Sequence, residues 1–533
     1  MQHLRNPTRL LLAALVLGLA ADQLFYGRQL GLSAPLFVGL GLAALGWLGA
    51  AEERPATRAN RWLAAAPLIF AVCLAWRDAP ALTALNAIAV LALLVLLAAS
   101  YRAEPLARLS DERALAQTLA TIADAAFRPA PLFVQGARQI RVERASARRL
   151  VPIGCGLALA LPALACFTAL LMAADSVFAS YVRQIVSFEL PFDIGPLLGH
   201  VVVTLAVAWA CAGGLLAALL GESRSTVGRA IESLSMWAIG LVRPMPGPAE
   251  DGAELPSEGA TRPLSPLRRP PLSLGWVEAV TVLAAVDALF AGFMAIQGAY
   301  FFGGLDTLER SGMTYAEYAR RGFFELLAVA CLALAMLCGL AVLARRESRG
   351  QRRAFNTASA AMIALVLGLL ASAFQRMLLY ERAYGYTQLR LYTHSFMIWL
   401  AVVLALFLLA LLCGRPRLFT RGGLVAALAY LLILNAANPD ALIVRENVAR
   451  YQVSGKLDAH YLAALSADAT PDLVASLDAL DGPARARIAA SLTLQARELG
   501  AAQAEQGWPS WHLGRMRALA AIERAGVAGE ASP

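Results

Sequence analysis

Long apolar runs constrain the fold of this chain more than any other feature of its sequence. A helix that crosses the bilayer core needs about 20 mostly apolar residues. Backbone N–H and C=O groups inside a bilayer must be hydrogen-bonded internally, so runs of this kind form helices. Eleven spans are predicted, of which the third and eleventh are short: residues 10–26, 30–50, 62–76, 81–101, 150–174, 194–220, 274–302, 322–343, 355–380, 392–413 and 422–434.

The composition supports a membrane protein. Hydrophobic residues make up 59% of the chain and charged residues only 16%, whereas a soluble domain has about 25% charged residues. The seven cysteines lie in or beside apolar runs and form no C-x-x-C pair. This placement favours small buried side chains over disulfides or metal ligands. We therefore predict an all-α, polytopic integral membrane protein, with no metal and no cofactor.

Arginine placement predicts the orientation of the spans. Arginines follow the second, fourth, sixth, eighth and tenth spans, as Arg54, Arg58 and Arg61 follow the second. These alternate loops share one side, and loops rich in Arg and Lys face the cytoplasm. The N-terminus is then cytoplasmic and the C-terminus lies outside a bacterial inner membrane. The orientation of the spans explains the net charge of +9 better than nucleic-acid binding does. We therefore predict that the protein does not bind nucleic acid.

Composition shifts divide the chain into six segments. Residues 1–101 hold four spans, 102–149 a basic helical cytoplasmic loop, and 150–220 the fifth and sixth spans. Residues 221–273 form a proline-rich cytoplasmic linker, 274–434 the last five spans, and 435–533 a small helical extracytoplasmic domain. In that domain Asn438-Pro439-Asp440 predicts a helix start, and Pro509 is expected to open the final helix. Trp508 and Trp511 are interpreted as core residues or membrane-interface anchors.

Three segments of the second half are similar to a known family. They are SGMTYAEYARRGFFE at 311–325, YERAYG at 380–385 with RLY at 390–392, and N-x-x-NPD at 435–440. Together they resemble the bacterial membrane family called domain of unknown function 4173, over roughly residues 275–530. The resemblance implies a location in the bacterial inner membrane, and it implies no reaction or ligand.

Asp287 is the sharpest single candidate. It lies near the middle of the seventh predicted span, where a charge costs about 2.5–3.5 kcal/mol. It should therefore face protein or water and have a partner, for which Arg376 and His394 are the candidates. The functional interpretation is a proton or ion relay, and the structural one is a protonated or paired acid that fixes helix packing. Asp22 and His200, nearer to span ends, are given less weight.

Charged residues and tyrosines concentrate on the predicted outer face. Such a set is able to bind a headgroup, a glycan or a peptide. Alternatively, the tyrosines and arginines are ordinary interface anchors, and Glu–Arg pairs fix the loops. The candidate polar site consists of Asp287, Glu317, Arg320, Arg376, Glu381, Arg382, Arg390, His394, Asn438 and Asp440.

The first long loop carries a repeated arginine pattern. Arg138, Arg141, Arg144 and Arg148 share one face of a predicted helix. Such a stripe on the cytoplasmic side suits anionic lipid headgroups. A solvated helix face with ordinary topology charges is the alternative.

No catalytic motif is present in the sequence, so we predict no catalytic residues and favour a non-enzymatic protein. The first hypothesis is an envelope scaffold whose outer domain binds an envelope protein. The second is a transporter or proton- or ion-coupled permease that uses Asp287. The third is an enzyme that acts on a lipid-linked substrate, with Glu317 or Glu381 as the acid or base.

Overall fold

The computed structural model describes residues 5–102, 195–220, 276–302, 323–344 and 348–526, with the isolated positions 121 and 129. These residues form helices and no β-strand. The predicted fifth span, the arginine stripe at 138–148 and the proline-rich linker lie outside the described residues. The same holds for Glu317 and Arg320.

Every predicted span that falls on described residues coincides with one helix. The helices are α1 (Pro7–Phe25), α2 (Ser33–Ala51), α3 (Ala65–Trp76), α4 (Pro80–Ser100), α5 (Gly195–Leu220), α6 (Trp276–Phe302), α7 (Phe323–Leu343), α8 (Arg349–Tyr384), α9 (Gln388–Leu412), α10 (Pro416–Ala437), α11 (Pro439–Ser454), α12 (Ala459–Ala463), α13 (Thr470–Ser476), α14 (Gly482–Gln506) and α15 (Leu513–Arg524).

Seven of the described helices are long and apolar enough to cross a membrane, namely α1, α2, α4, α5, α8, α9 and α10. Shorter apolar stretches lie in α3, α6 and α7. The third predicted span is only partly α-helical, because Arg58–Ala64 forms a 3-10 helix and α3 has 12 residues. A helix of that length extends about 18 Å, less than the bilayer core of about 30 Å. The eleventh is longer than predicted, since α10 has 22 residues. The protein is therefore membrane-embedded, and the count of eleven spans stays a prediction.

The helices form two compact units. The first contains α1 to α5, the C-terminal part of α14, and α15. In it α1 packs along α5 and α3 along α4, around a leucine-rich core that includes Leu10, Leu48 and Leu216. Gly18 permits the close approach of α1 to α5, because a Cβ there would collide with the Thr204 carbonyl oxygen. Small residues at such crossings are typical of helix pairs in membranes.

The second unit contains α6 to α13 and the N-terminal part of α14. Helix α8 is its centre and packs against α6, α7 and α9. Its buried stripe recurs every three or four residues, the helical period, and includes Met362, Val366, Ala373 and Met377. The predicted C-terminal domain, 435–533, contributes residues to both units, because their boundary falls between residues 492 and 493.

Local sequence explains several helix ends. Helix α8 begins with a capping box in which Ser348 and Gln351 bond each other's backbone N–H. Asn438 ends α10 in the left-handed conformation and caps α11, because its side chain accepts from the Ala441 N–H. The predicted helix start at Asn438 is confirmed. The predicted start at Pro509 is wrong, because Trp508–Ser510 is a 3-10 turn and α15 begins at Leu513, capped by His512.

Candidate functional site

Polar side chains of the second unit meet where α8 ends and α9 begins. We call this set the junction cluster and define it as Glu381, Tyr386, Gln388, Arg390, His394, Asn438, Asp440, Asn447 and Ser466. Five of its members are residues of the predicted polar site. Glu381 lies on α8, Arg390 and His394 lie on α9, Asn438 caps α11 and Asp440 lies in its first turn.

The loop between α8 and α9 is fixed by one asparagine of α11. The Asn447 amide nitrogen donates to the Tyr386 carbonyl (2.8 Å), and its oxygen accepts from the Tyr386 N–H (3.0 Å). Gly385 precedes this peptide with φ at +80°, and a Cβ there would collide with the Asn447 side-chain oxygen. Arg390 donates to the Gly385 carbonyl and lies over the Tyr380 ring, 4.2 Å from its centroid. Gly385 is therefore required by both its backbone conformation and the contact.

Asp440 joins three elements of the second unit. Its Oδ1 accepts from the Gln388 side-chain amide at the start of α9 (2.8 Å). Its Oδ2 accepts from the Ser466 hydroxyl (2.6 Å) and the Ser466 N–H (3.2 Å). The Gln388 N–H donates to the Tyr461 hydroxyl (2.7 Å). Asp440 is fully buried, and hydrogen bonds to both of its oxygens offset the cost of burying a carboxylate.

Asn438 and Asn435 also bond within the unit. The Asn438 amide donates to the Asp468 carbonyl (2.9 Å), which links the start of α11 to the segment before α13. The Asn435 amide donates to the Leu431 carbonyl (2.8 Å), and Asn435 is fully buried. Asparagines in this part of the unit therefore satisfy backbone groups.

Glu381 and His394 form a buried acid–histidine pair between α8 and α9. His394 Nδ1 lies 3.0 Å from Glu381 Oε2, and Glu381 is fully buried. The Phe374 ring meets the imidazole edge-on, with centroids 4.2 Å apart. The second carboxyl oxygen, Glu381 Oε1, is buried and has no hydrogen-bond partner among the described residues. The pair is an ion pair when His394 is protonated and a single hydrogen bond otherwise.

Electrostatics at the rim of the junction cluster follow burial and nearby charge. Burial first, and then the charges of Glu381 and Glu446, raise the pKa of Tyr386. Arg445 forms a surface ion pair with Asp472, at 2.6 Å from Nε to Oδ1. Hydrogen bonding to Asp472 and its charge raise the pKa of Arg445. Exposed pairs of this kind contribute little to stability.

The other predicted residues that the structure describes are not members of the junction cluster. Arg382 is exposed, and its carbonyl accepts from Arg450 Nε (3.1 Å). Arg376 is half-buried on α8. Asp287 lies on α6, and its Oδ1 is buried without a hydrogen-bond partner among the described residues. His394, proposed as a partner for Asp287, pairs with Glu381 instead.

Sequence reasoning missed a second acid–histidine pair, in the first unit. His200 Nδ1 on α5 lies 2.8 and 2.9 Å from the two carboxyl oxygens of Asp22 on α1. The Tyr26 ring contacts the imidazole at a tilt of 42°, with centroids 4.0 Å apart. Asp22 and His200 are polar residues near the ends of predicted spans, and this position was the only sign in the sequence of an interaction between them. Nothing in the sequence pairs positions this far apart. No three His, Cys, Asp or Glu side chains of the described ranges lie close enough to hold a metal ion.

Apolar membrane-length helices and buried polar links at their ends define the class of a polytopic helical membrane protein. The sequence model of a family described as domain of unknown function (DUF4153) matches residues 64–476. The chain belongs to this family. The expectation of an unknown-function family is confirmed, but its number, 4173, differs from the one found. The match also reaches into the first half, where no motif had been recognised. No curated protein and no solved structure matches the chain.

Proposed function

We propose that the protein is a non-enzymatic scaffold of the bacterial inner membrane, with its N-terminus in the cytoplasm and its C-terminus outside. Its outer surface, formed by α11 to α13, would bind an envelope protein. Anionic lipid headgroups would contact the arginine stripe on the cytoplasmic face.

One observation carries the scaffold role. Most of the described polar side chains that suggested a site form hydrogen bonds inside the second unit. Asp440 satisfies Gln388 and Ser466, Asn447 satisfies the Tyr386 peptide, and Arg390 satisfies the Gly385 carbonyl. Groups bonded in this way fix helices in place, and they are not free to bind a substrate. The same bonds hold α11 and the segments after it at the ends of α8 and α9.

The surface to test is the exposed end of α11. Val453 is 92% exposed, and Lys456 and His460 follow it, also exposed. A photo-crosslinking amino acid at each of these positions should give one discrete adduct in living cells. The matched control is Leu412, an exposed residue at the end of α9 that lies away from the junction cluster. A photo-crosslinker at this position should give lipid adducts only.

A second variant makes the crosslinking result specific. Asp440→Ala should weaken the Val453 adduct without preventing membrane insertion, because α11 loses its bonds to Gln388 and Ser466. The absence of a discrete adduct from all three positions would count against a partner. A Val453 adduct that is unchanged in Asp440→Ala would show that the junction cluster does not hold the binding surface.

One observation favours a second candidate, proton- or ion-coupled transport. One carboxyl oxygen of Asp287 is buried and has no hydrogen-bond partner among the described residues. Two residues further along α6, Leu289 is 68% exposed. Acids inside a membrane segment are functional candidates by default. Reconstituted vesicles with a pH-sensitive dye, under an imposed membrane potential, should then take up protons more slowly with Asp287→Asn than with the wild type. Equal rates would remove this candidate.

A further inference from the structure

A 3-10 turn of the first unit lies against the loop that joins α1 to α2. The Leu32 N–H donates to the Trp511 carbonyl (2.8 Å), and the Gln29 N–H donates to the Gln506 side-chain oxygen (3.0 Å). A Cβ on Gly31 would collide with the backbone of Ser510 and Trp511. Because α1 and α2 are both of membrane-spanning length, we expect the turn to lie near the membrane surface.

A pocket of about 300 Å³ opens beside this turn. Its lining includes Gln29, Gln503, Gln506, Trp508, Ser510 and Trp511. The two indoles are not core residues, because Trp508 is 64% exposed and Trp511 is 41% exposed. Ligand pockets begin at about this volume and combine aromatic walls with a few polar groups.

The ionisable residues that line the pocket carry no uncompensated charge. Arg515 is paired with Asp78, at 2.7 Å from Nε to Oδ1. His512 is 2% exposed, and burial lowers its pKa even though Asp78 acts in the opposite direction. The lining is therefore neutral near pH 7, and a charged ligand would find no counter-charge there.

The polar groups of the pocket offer both donors and acceptors. Gln506 uses its oxygen for the Gln29 N–H, and its amide nitrogen is a donor without a partner among the described residues. Gln503 adds an exposed amide that both donates and accepts. The Ser510 hydroxyl oxygen is buried and has no hydrogen-bond partner among the described residues. A ligand hydroxyl that reaches this oxygen would supply the missing hydrogen bond.

We propose that this pocket binds an uncharged saccharide. A sugar ring has an apolar C–H face that suits an indole, and its edge carries hydroxyls that both donate and accept. Trp508 and Trp511 supply the aromatic faces, and Gln503, Gln506 and Ser510 supply the hydrogen bonds. The inference goes beyond the scaffold role and is independent of it, because the scaffold rests on the junction cluster of the second unit.

The test is saccharide binding by the full chain in lipid nanodiscs, free of sugar-based detergent, whose headgroup would compete. Neutral disaccharides of glucose, mannose, galactose and N-acetylglucosamine are titrated by calorimetry, with glucose 6-phosphate as a charged comparison. At least one neutral sugar should bind with a Kd of about 1 mM or tighter, whereas glucose 6-phosphate should not bind at these concentrations. Trp508→Ala and Gln503→Ala should each weaken binding about tenfold, a change of about 1.4 kcal/mol.

Two further variants separate binding from folding. Trp47→Ala removes an indole that is 55% exposed on α2 outside the pocket, and binding should be unchanged. Ser510→Ala should weaken binding without lowering the Tm, because it removes an unsatisfied hydroxyl. Failure of all neutral sugars to bind, or equal binding by wild type and Trp508→Ala, overturns the proposal. Without sugar binding, a part of the tryptophan quenching by brominated lipid that is lost in Trp508→Ala also overturns it, since the occupant is then the bilayer.

Discussion

Asn447 satisfies three backbone groups with one side chain. Its side chain accepts from the Tyr386 N–H, donates to the Tyr386 carbonyl and also donates to the Ile443 carbonyl (2.9 Å). An asparagine has two donors and an acceptor with two lone pairs, so this geometry uses both ends of its amide. The backbone conformation at Gly385 is what brings the loop within reach. Asn447 and Gly385 therefore fix the loop between α8 and α9 together with the bond from Arg390 to the Gly385 carbonyl.

Gly385→Ala should destabilise the protein strongly. Alanine is strained at φ +80° and its Cβ would collide with Asn447, for a total of about 3 kcal/mol. Gly507→Ala is the matched control, because Gly507 has nearly the same backbone conformation as Gly385, with φ +70° and ψ −165° against φ +80° and ψ 178°. The nearest atom to its Cβ position is 3.9 Å away, so only the backbone strain of about 2 kcal/mol applies. Thermal unfolding in detergent measures both variants. Equal losses of Tm would mean that the Asn447 contact has no effect.

His512 should make stability depend on pH. Burial lowers its folded pKa below the ordinary 6.5, against the opposing effects of Asp78 and of the backbone at Arg77 and Leu74, while the Arg515 charge lowers it further. Below about pH 6.5 the unfolded chain then binds a proton at this histidine more readily than the folded chain does. The stability that neutral His512 contributes is therefore complete above that pH and is lost as pH falls.

The measurement is Tm between pH 8 and pH 5.5 for the wild type and for His512→Asn. Asparagine keeps an acceptor for the Arg515 N–H that His512 caps but does not titrate. The Tm of the variant should fall less over this range. Parallel curves for the two proteins would show that another group is responsible.

Helix α11 is attached to the membrane helices by buried polar bonds as well as by apolar packing. Its first turn holds Asp440, its third faces the loop through Asn447, and its exposed side carries the Arg445–Asp472 pair. These three contacts differ in burial, which sets their energetic weight. Bonds to the buried Asp440 have no competition from water, whereas the surface pair does.

Asp440→Ala should therefore cost much more stability than Asp472→Ala. Removal of the buried Asp440 carboxylate leaves the half-buried Gln388 amide and Ser466 hydroxyl without their acceptor, at about 1 kcal/mol or more for each. Loss of the surface pair should cost about 0–1 kcal/mol. Thermal unfolding of both variants gives the comparison. A fall in Tm for Asp472→Ala that matches or exceeds that of Asp440→Ala would contradict this ranking.

The sequence predicted the helices better than the contacts between them. Apolar runs coincide with helices because a bilayer requires internal backbone bonds, and the Asn438-Pro439 start follows from capping chemistry. The sequence also brought Glu381, His394 and Asp440 into one cluster. It did not pair Glu381 with His394, or Asp22 with His200, because helix packing determines which side chains meet. Boundaries at α3 and α15 differ for a related reason, since 3-10 turns replace the expected α-helical residues.

Orientation in the membrane is the last prediction, and it concerns the molecule as a whole. Helix α10 separates Cys413, exposed at the end of α9, from Val453 near the end of α11. Arginines at 415, 417 and 421 predict, by the positive-inside rule, that the Cys413 end faces the cytoplasm. The two positions should therefore face opposite sides.

Labelling with a membrane-impermeant maleimide tests this in vesicles from a bacterial expression host. Cys413 should react only in inverted vesicles, and Val453→Cys in a Cys413→Ser background should react only in right-side-out vesicles. The Cys413→Ser chain alone is the background control, because it measures the labelling of the six remaining cysteines. Of those that the structure describes, Cys73, Cys211, Cys331 and Cys338 are buried or half-buried. Reaction of both positions on one side would mean that α10 does not cross, which removes the alternation of arginine-rich loops on which the predicted orientation rests. Reaction on the exchanged sides would keep the crossing and reverse the orientation, so the proposed binding surface on α11 would face the cytoplasm.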